Sequence, residues 1–150
     1  MPPWLLILIL MEGVILLINP TRKDFAWYRG LRRPQWVPFA SSIPVIWLLI
    51  HFGFYLSSLV SWQVSNNWNL VMAYILLLVL VESYTWIMCR TRRLGTGSLL
   101  CLLGWAYGLV LAAALLSLSL LASALLIPYL LWAPVEALIT WDMRRLNRLS

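Results

Sequence analysis

The stretch SLLCLLGWAYGLVLAAALLSLSLLASALLIPYLLWAPVEALITW, from Ser98 to Trp141, decides the fold. It runs for about 44 residues, and Glu136 is the only charged side chain in it. A bilayer's hydrocarbon core, about 30 Å thick, takes roughly 20 residues of helix at ~1.5 Å per residue, so the stretch is long enough to cross twice. Arg90, Arg92 and Arg93 precede it, and Arg144, Arg145 and Arg148 follow it. One crossing would put these clusters on opposite faces of the membrane. Two crossings with a tight turn near Ser117–Ser123 keep both on one face, where short basic loops are retained during insertion.

Working outward, apolar segments at about 3–19, 43–62 and 69–89 add three spans to those at about 98–117 and 121–141. The polar segment of about 20–42 between the first two holds Arg22, Lys23, Arg29, Arg32 and Arg33. All eleven Lys and Arg residues then fall on one side, in the first loop, the third loop and the C-terminal tail. The expectation is an all-α membrane protein: one domain over 1–150, a bundle of five transmembrane helices, N-terminus out and C-terminus cytoplasmic. A plasma or thylakoid membrane suits that orientation.

Composition agrees. The chain is 63% hydrophobic and 11% charged, against roughly half and a quarter in soluble domains. Its net charge of +6 does not point to nucleic acid, because a basic cytoplasmic rim is what topology and anionic headgroups require. Met1-Pro-Pro-Trp4 lacks the basic region of a signal peptide, and Pro2 and Pro3 stand where a helix start tolerates proline. Cys89 and Cys101 lie toward the reducing side and are expected as free thiols.

The first loop carries Trp27, Tyr28, Pro34, Trp36 and Pro38 among its charges. Connections this long in a compact bundle are usually functional, and aromatics with prolines favour packing over disorder. Ser42 is placed to cap the second span, with Pro44 in its first turn. Gly104, Gly108 and Ala112 recur every four residues, a register that serves either packing inside the bundle or a homodimer.

Four ionisable side chains fall well inside the spans: Glu12, His51, Glu82 and Glu136. Counted from the basic helix ends they share a depth of roughly 8–14 Å. A charged carboxylate there costs about 2.5–3.5 kcal/mol, so such groups face an interior or a wet cavity. Trp47 and His51, Glu82 and Trp86, and Trp132 and Glu136 each stand four residues apart, a spacing that shares a helix face. Tyr55 extends the face in the second span, Tyr129 and Thr140 lie near it in the fifth, and Trp105 has a similar depth. Interfacial aromatic belts explain Trp4, Trp62, Trp68 and Trp141. Trp132, near mid-span, suits an aromatic pocket for a flat apolar ligand better. One histidine excludes a multi-histidine metal site, though it leaves axial ligation of a haem iron open. No phosphate-cradling glycine loop is present.

The segment Trp27-Tyr28-x2-Leu31-x2-Pro34-x-Trp36-x-Pro38, followed by Pro44-x2-Trp47, resembles the first loop and second helix of the translocator protein family (TspO/MBR, the tryptophan-rich sensory proteins). Pro128-Tyr129-Leu130-Leu131-Trp132 is similar to its Pro-Tyr-Leu-x-Trp signature in helix 5, and Asn147 falls near the Asn that often closes that helix. The chain departs from the pattern at His51, Ser83 and Thr140, where the family usually has Tyr, Asn and Asn. Tyr84–Cys89 and the Trp141-Asp-Met143 ending resemble a divergent cyanobacterial branch. The resemblance implies a membrane protein that binds tetrapyrroles such as protoporphyrin IX or haem as ligands, with no obligatory cofactor. It also implies sterol or synthetic aromatic ligands in mitochondrial relatives, and light-dependent porphyrin breakdown in some bacterial ones. Trp36, Trp47, Trp86 and Trp132 would line the site by this resemblance. The side chains themselves add His51, Tyr55, Glu82, Trp105, Tyr129 and Glu136 as binding candidates. A tetrapyrrole-binding sensor or carrier leads. An enzyme acting on a pigment or lipid and a proton-linked transporter stand beside it, warranted by the buried acids and base.

Overall fold

The computed structural model describes residues 1–36 and 42–147; Pro38 of the loop motif and Arg148 of the tail lie outside the described residues. Seven helices follow in order: α1 (Pro3–Leu17), α2 (Arg22–Arg29), α3 (Ile43–Ser65), α4 (Trp68–Thr91), α5 (Leu94–Leu115), α6 (Leu120–Ala124) and α7 (Ile127–Asn147). There is no strand among the described residues. The chain is an all-α membrane protein. Helices α3, α4 and α5 and the α6–α7 unit Leu120–Asn147 are each long and apolar enough to cross a bilayer. Helix α1, 15 residues long, reaches only ~22 Å. It bends by 74° into α2, and the bent pair is the fifth candidate span.

The first loop is therefore partly helical. Thr21 caps α2 by accepting a hydrogen bond from the Asp24 N–H at 3.2 Å, one of the four donors a helix start leaves open. Ser42 precedes α3, but its hydroxyl caps nothing, and the missing N–H of Pro44 at the second position lessens the need. Asn66 (φ 52°) closes α3 and Arg92 (φ 57°) closes α4, both in the left-handed conformation that ends helices.

The expected fifth span at 121–141 is broken at Leu125–Leu126 and then extends to Asn147. Pro128, in the first turn of α7, supplies no N–H to the carbonyl four residues earlier, which weakens the helix at this point. The resulting turn seats the Leu125 carbonyl against Gly53 of α3, where a Cβ would lie 2.7 Å from that oxygen. Only glycine allows this approach.

Helices α5 and α7 are laced antiparallel. Ser98 Oγ donates to the Ala137 carbonyl (3.0 Å), Cys101 Sγ to Ala133 (3.3 Å) and Trp105 Nε1 to Leu130 (3.0 Å). The last acceptor has a cause in the sequence. Pro134 inside α7 removes the N–H that would have met the Leu130 carbonyl, and in lipid such a group must find another donor. Gly104 and Gly108 face Tyr129 and Leu130 along the same seam, so these two glycines of the small-residue stripe pack within the bundle.

At the end away from the arginines, Tyr74 meets Ser57 (2.6 Å) and Ser61 (2.9 Å), and Ser57 donates to the Ala122 carbonyl (2.6 Å). All of these side chains are buried, which ties α3, α4 and α6 into a closed half. In the basic half, by contrast, a cavity lies beneath the first loop.

Candidate functional site

A cavity of about 480 Å³ opens beneath the first loop. Its walls come from four elements. Helix α3 contributes Ile43, Pro44, Trp47 and His51, a stripe advancing by three or four residues along one face. Helix α4 contributes Val81, Glu82, Tyr84 and Thr85, and α7 contributes Glu136. The roof is Asn19 and Pro20 with Phe25, Tyr28 and Arg29 of α2, and Arg33 beyond it.

The polar groups inside are paired across helices. His51 Nε2 lies 2.5 Å from Glu82 Oε1, joining α3 to α4. The Tyr84 hydroxyl donates to Glu136 Oε1 at 2.7 Å, joining α4 to α7, and Glu136 is 3% exposed. The Trp132 indole reaches the same carboxyl from one turn away. Trp47 stacks on Tyr84 with ring centroids 6.3 Å apart and planes 30° apart, so the two form one aromatic wall. Of the lining residues, Arg29 lies over Phe25 (5.4 Å) and Arg33 over Tyr28 (5.6 Å), both cation–π contacts.

The loop is fastened to the end of α7. The Arg32 N–H donates to Asn147 Oδ1, and Asn147 Nδ2 returns a bond to the Arg32 carbonyl, both at 3.0 Å. Trp36 Nε1 donates to Asp142 Oδ2 at 2.8 Å. Between loop and helix end lies a second cavity of about 810 Å³, lined by Arg32, Arg33, Trp36, Asp142 and Arg145 among others. Arg33 borders both cavities.

Of the side chains singled out in the sequence, Trp47, His51, Glu82 and Glu136 meet in the inner cavity. Trp36 belongs to the outer one. Tyr55 lies on the far side of His51, in a third cavity, with its hydroxyl donating to the Trp4 carbonyl at 3.1 Å. Trp132 is 8% exposed and lies one turn deeper than Glu136. Trp105 and Tyr129 line none of these three cavities: Trp105 donates to the Leu130 carbonyl, and Tyr129 packs edge-on against Phe54 at 5.1 Å.

Trp86 lines none of these cavities; its ring lies under the Arg90 guanidinium at 5.5 Å, at the basic rim. The cause is angular. Trp86 is about 40° round the helix from Glu82 in one direction, whereas Thr85, Val81 and Tyr84 extend the cavity face in the other. Glu82 stands at the edge of that face, so its neighbour four residues on points outside. Tyr84 was missed for the same reason. Phe25, Tyr28, Arg29 and Arg33 had a signal in the aromatic and basic loop, but their inward placement depends on the α1–α2 bend.

The side chains present fit a flat ligand with acidic substituents: a stacked aromatic wall, hydrogen-bonding groups at its edge, and two arginines at the mouth. They fit iron ligation less well, because the Nε2 nitrogen of His51 is held by Glu82. Among the described residues no group of three or more His, Cys, Asp or Glu could hold a metal ion.

The profile of the TspO/MBR family matches residues 4–146. An uncharacterized membrane protein, YtaB, of Bacillus subtilis is 27% identical over 127 residues, covering 83% of this chain and 82% of its own length. A tryptophan-rich sensory protein of Cereibacter sphaeroides is 24% identical, covering 83% and 79%. The tryptophan-rich protein TspO of Bacillus cereus is 26% identical, covering 83% and 82%. With its helical architecture and a family match over nearly its whole length, the chain belongs to the TspO/MBR family.

Proposed function

We propose that this integral membrane protein binds a tetrapyrrole in the cavity beneath its first loop and acts as a sensor or carrier for it. One observation carries the reading: the stacked Trp47 and Tyr84 rings line a cavity that Arg29 and Arg33 also line. A porphyrin is a flat apolar ring with carboxylates at one edge. Its ring would lie against the wall, and its carboxylates would meet Arg29 and Arg33 as charge-assisted hydrogen bonds. His51, Glu82 and Tyr84 would present polar atoms to the ring's edge. The volume of about 480 Å³ falls within the range of small-molecule sites.

The basic ends of the helices face the cytoplasm in this reading, with five crossings and the loop acting as a cytoplasmic lid. The resemblance of the loop motif and the family match support the ligand class. Titration of the purified protein with protoporphyrin IX, followed by tryptophan quenching, tests it. Saturable binding that weakens about tenfold or more in Trp47→Ala is expected, the scale of losing one aromatic stacking partner. Equal affinity in that variant would remove the proposal.

A second reading, acid–base chemistry on the bound pigment, has its own observation. Two titratable pairs, His51–Glu82 and Tyr84–Glu136, border one cavity. Turnover of the pigment in the dark would favour it over binding alone.

A further inference from the structure

A third cavity, of about 320 Å³, lies between α1 and α3 on the opposite side of His51 from the inner one. Its floor is buried: Met11 of α1 and Phe54 of α3. Its lip is formed by Leu48 and Phe52, which are 68% and 57% exposed. Both sit in the apolar span α3, so the groove opens sideways to lipid, not to the loop. Two of its polar side chains are already engaged, Tyr55 with the Trp4 carbonyl and His51 with Glu82.

That leaves Glu12. It is exposed in the wall of the groove, and among the described residues no hydrogen bond or ion pair reaches it. No Lys or Arg lines the groove among the described residues. An intramembrane carboxylate facing lipid without a donor is costly, and such residues pair with something. The partner that relieves the cost most is a cation, and the apolar lip selects one carried on a hydrocarbon body.

We propose that the α1–α3 groove is a second ligand site, for a membrane-dissolved amphiphile whose ammonium head pairs with Glu12 and whose chain lies on Leu48 and Phe52. This site does not depend on what the inner cavity holds. Its recognition logic is opposite to that of the inner cavity: a single carboxylate for a cation, where the inner mouth offers arginines to an anion. A primary ammonium could come from a free amine or from an aminophospholipid headgroup.

Dodecylamine binding to the full chain in phosphatidylcholine nanodiscs, read by native mass spectrometry, tests the site. One saturable site is expected, with affinity falling about tenfold or more in Glu12→Gln. Leu48→Trp, which fills the lip and keeps the carboxylate, should lose binding similarly, while Trp47→Ala in the inner cavity should not. Dodecanoate, equal in length and opposite in charge, should not bind there. Glu12→Gln should keep wild-type affinity for protoporphyrin IX. Replacing the lipid by phosphatidylethanolamine separates the sources: suppressed dodecylamine binding assigns the ammonium to the headgroup, and unchanged binding assigns it to a free amine. Equal dodecylamine affinity in wild type and Glu12→Gln overturns the proposal. So does a dimer that dissociates on Glu12→Gln without amine bound, which would give the groove to a second copy of the chain.

Discussion

His51 Nε2 and Glu82 Oε1 stand 2.5 Å apart, joining α3 to α4 where two cavities meet: His51 borders both, and Glu82 borders the inner one. Their side chains are 24% and 18% exposed, enough for a ligand to touch them and too little for water to screen them fully. Glu82→Gln keeps the shape and a hydrogen-bonding group but removes the charge. It should weaken porphyrin binding about tenfold, roughly 1.4 kcal/mol, with the melting midpoint close to wild type. His51→Phe should act in the same direction. Isothermal titration and a thermal melt of both variants decide it; unchanged affinity in both would make the pair a structural strut only.

If the loop is a lid over the bound ligand, its latch should set the rate of exchange. Trp36 and Asp142, 106 residues apart in sequence, share one hydrogen bond over the outer cavity. Trp36→Phe and Asp142→Ala should each speed porphyrin release about fivefold, the worth of roughly 1 kcal/mol for one bond. The double variant should release no faster than either single one, because both remove the same interaction. Stopped-flow dissociation rates that multiply in the double variant would show that the two side chains act separately.

The all-α membrane architecture is legible in the sequence, because apolar run lengths are local and additive. The elements that escape it are those set by contact. The helix α2 inside the polar loop, its 74° bend from α1 and the break at Leu125–Leu126 inside an apolar run leave no mark on a hydropathy window. The site was legible only in part. Spacing by four residues brought Trp47 and His51 to the cavity, since both lie near the centre of the α3 face. The same spacing does not bring Trp86 into the cavity, since Glu82 lies at the edge of the α4 face. The Arg32–Asn147 clamp spans 115 residues, and periodicity carries no information about such a pair.

Gly53 offers a case where helix propensity and structure disagree. In a helix interior, glycine to alanine ordinarily stabilises by about 1 kcal/mol. Here the new Cβ would lie 2.7 Å from the Leu125 carbonyl, a backbone atom that cannot rotate away. Gly53→Ala should therefore destabilise by about 1–3 kcal/mol, the range for overpacking. A higher thermal midpoint in that variant would contradict the seating of the α6–α7 turn on α3.

Trp105 and Pro134 should be coupled through a carbonyl that neither of them owns. Trp105→Phe leaves the Leu130 oxygen without its donor and should cost about 1–3 kcal/mol. Adding Pro134→Ala restores a helical N–H to that oxygen and should recover part of the loss. Unfolding midpoints of the two single variants and the double one give the coupling; strict additivity would deny it. Porphyrin affinity should stay at the wild-type level in Trp105→Phe, since Trp105 does not line the inner cavity.

The most direct test of the central claim is an experimental structure of the protein with protoporphyrin IX bound. The ring is expected between the first loop and the Trp47–Tyr84 wall, its carboxylates toward Arg29 and Arg33 and its edge against the His51–Glu82 pair. Porphyrin density on the lipid-facing surface, or an inner cavity filled by an acyl chain while porphyrin sits elsewhere, would contradict the account.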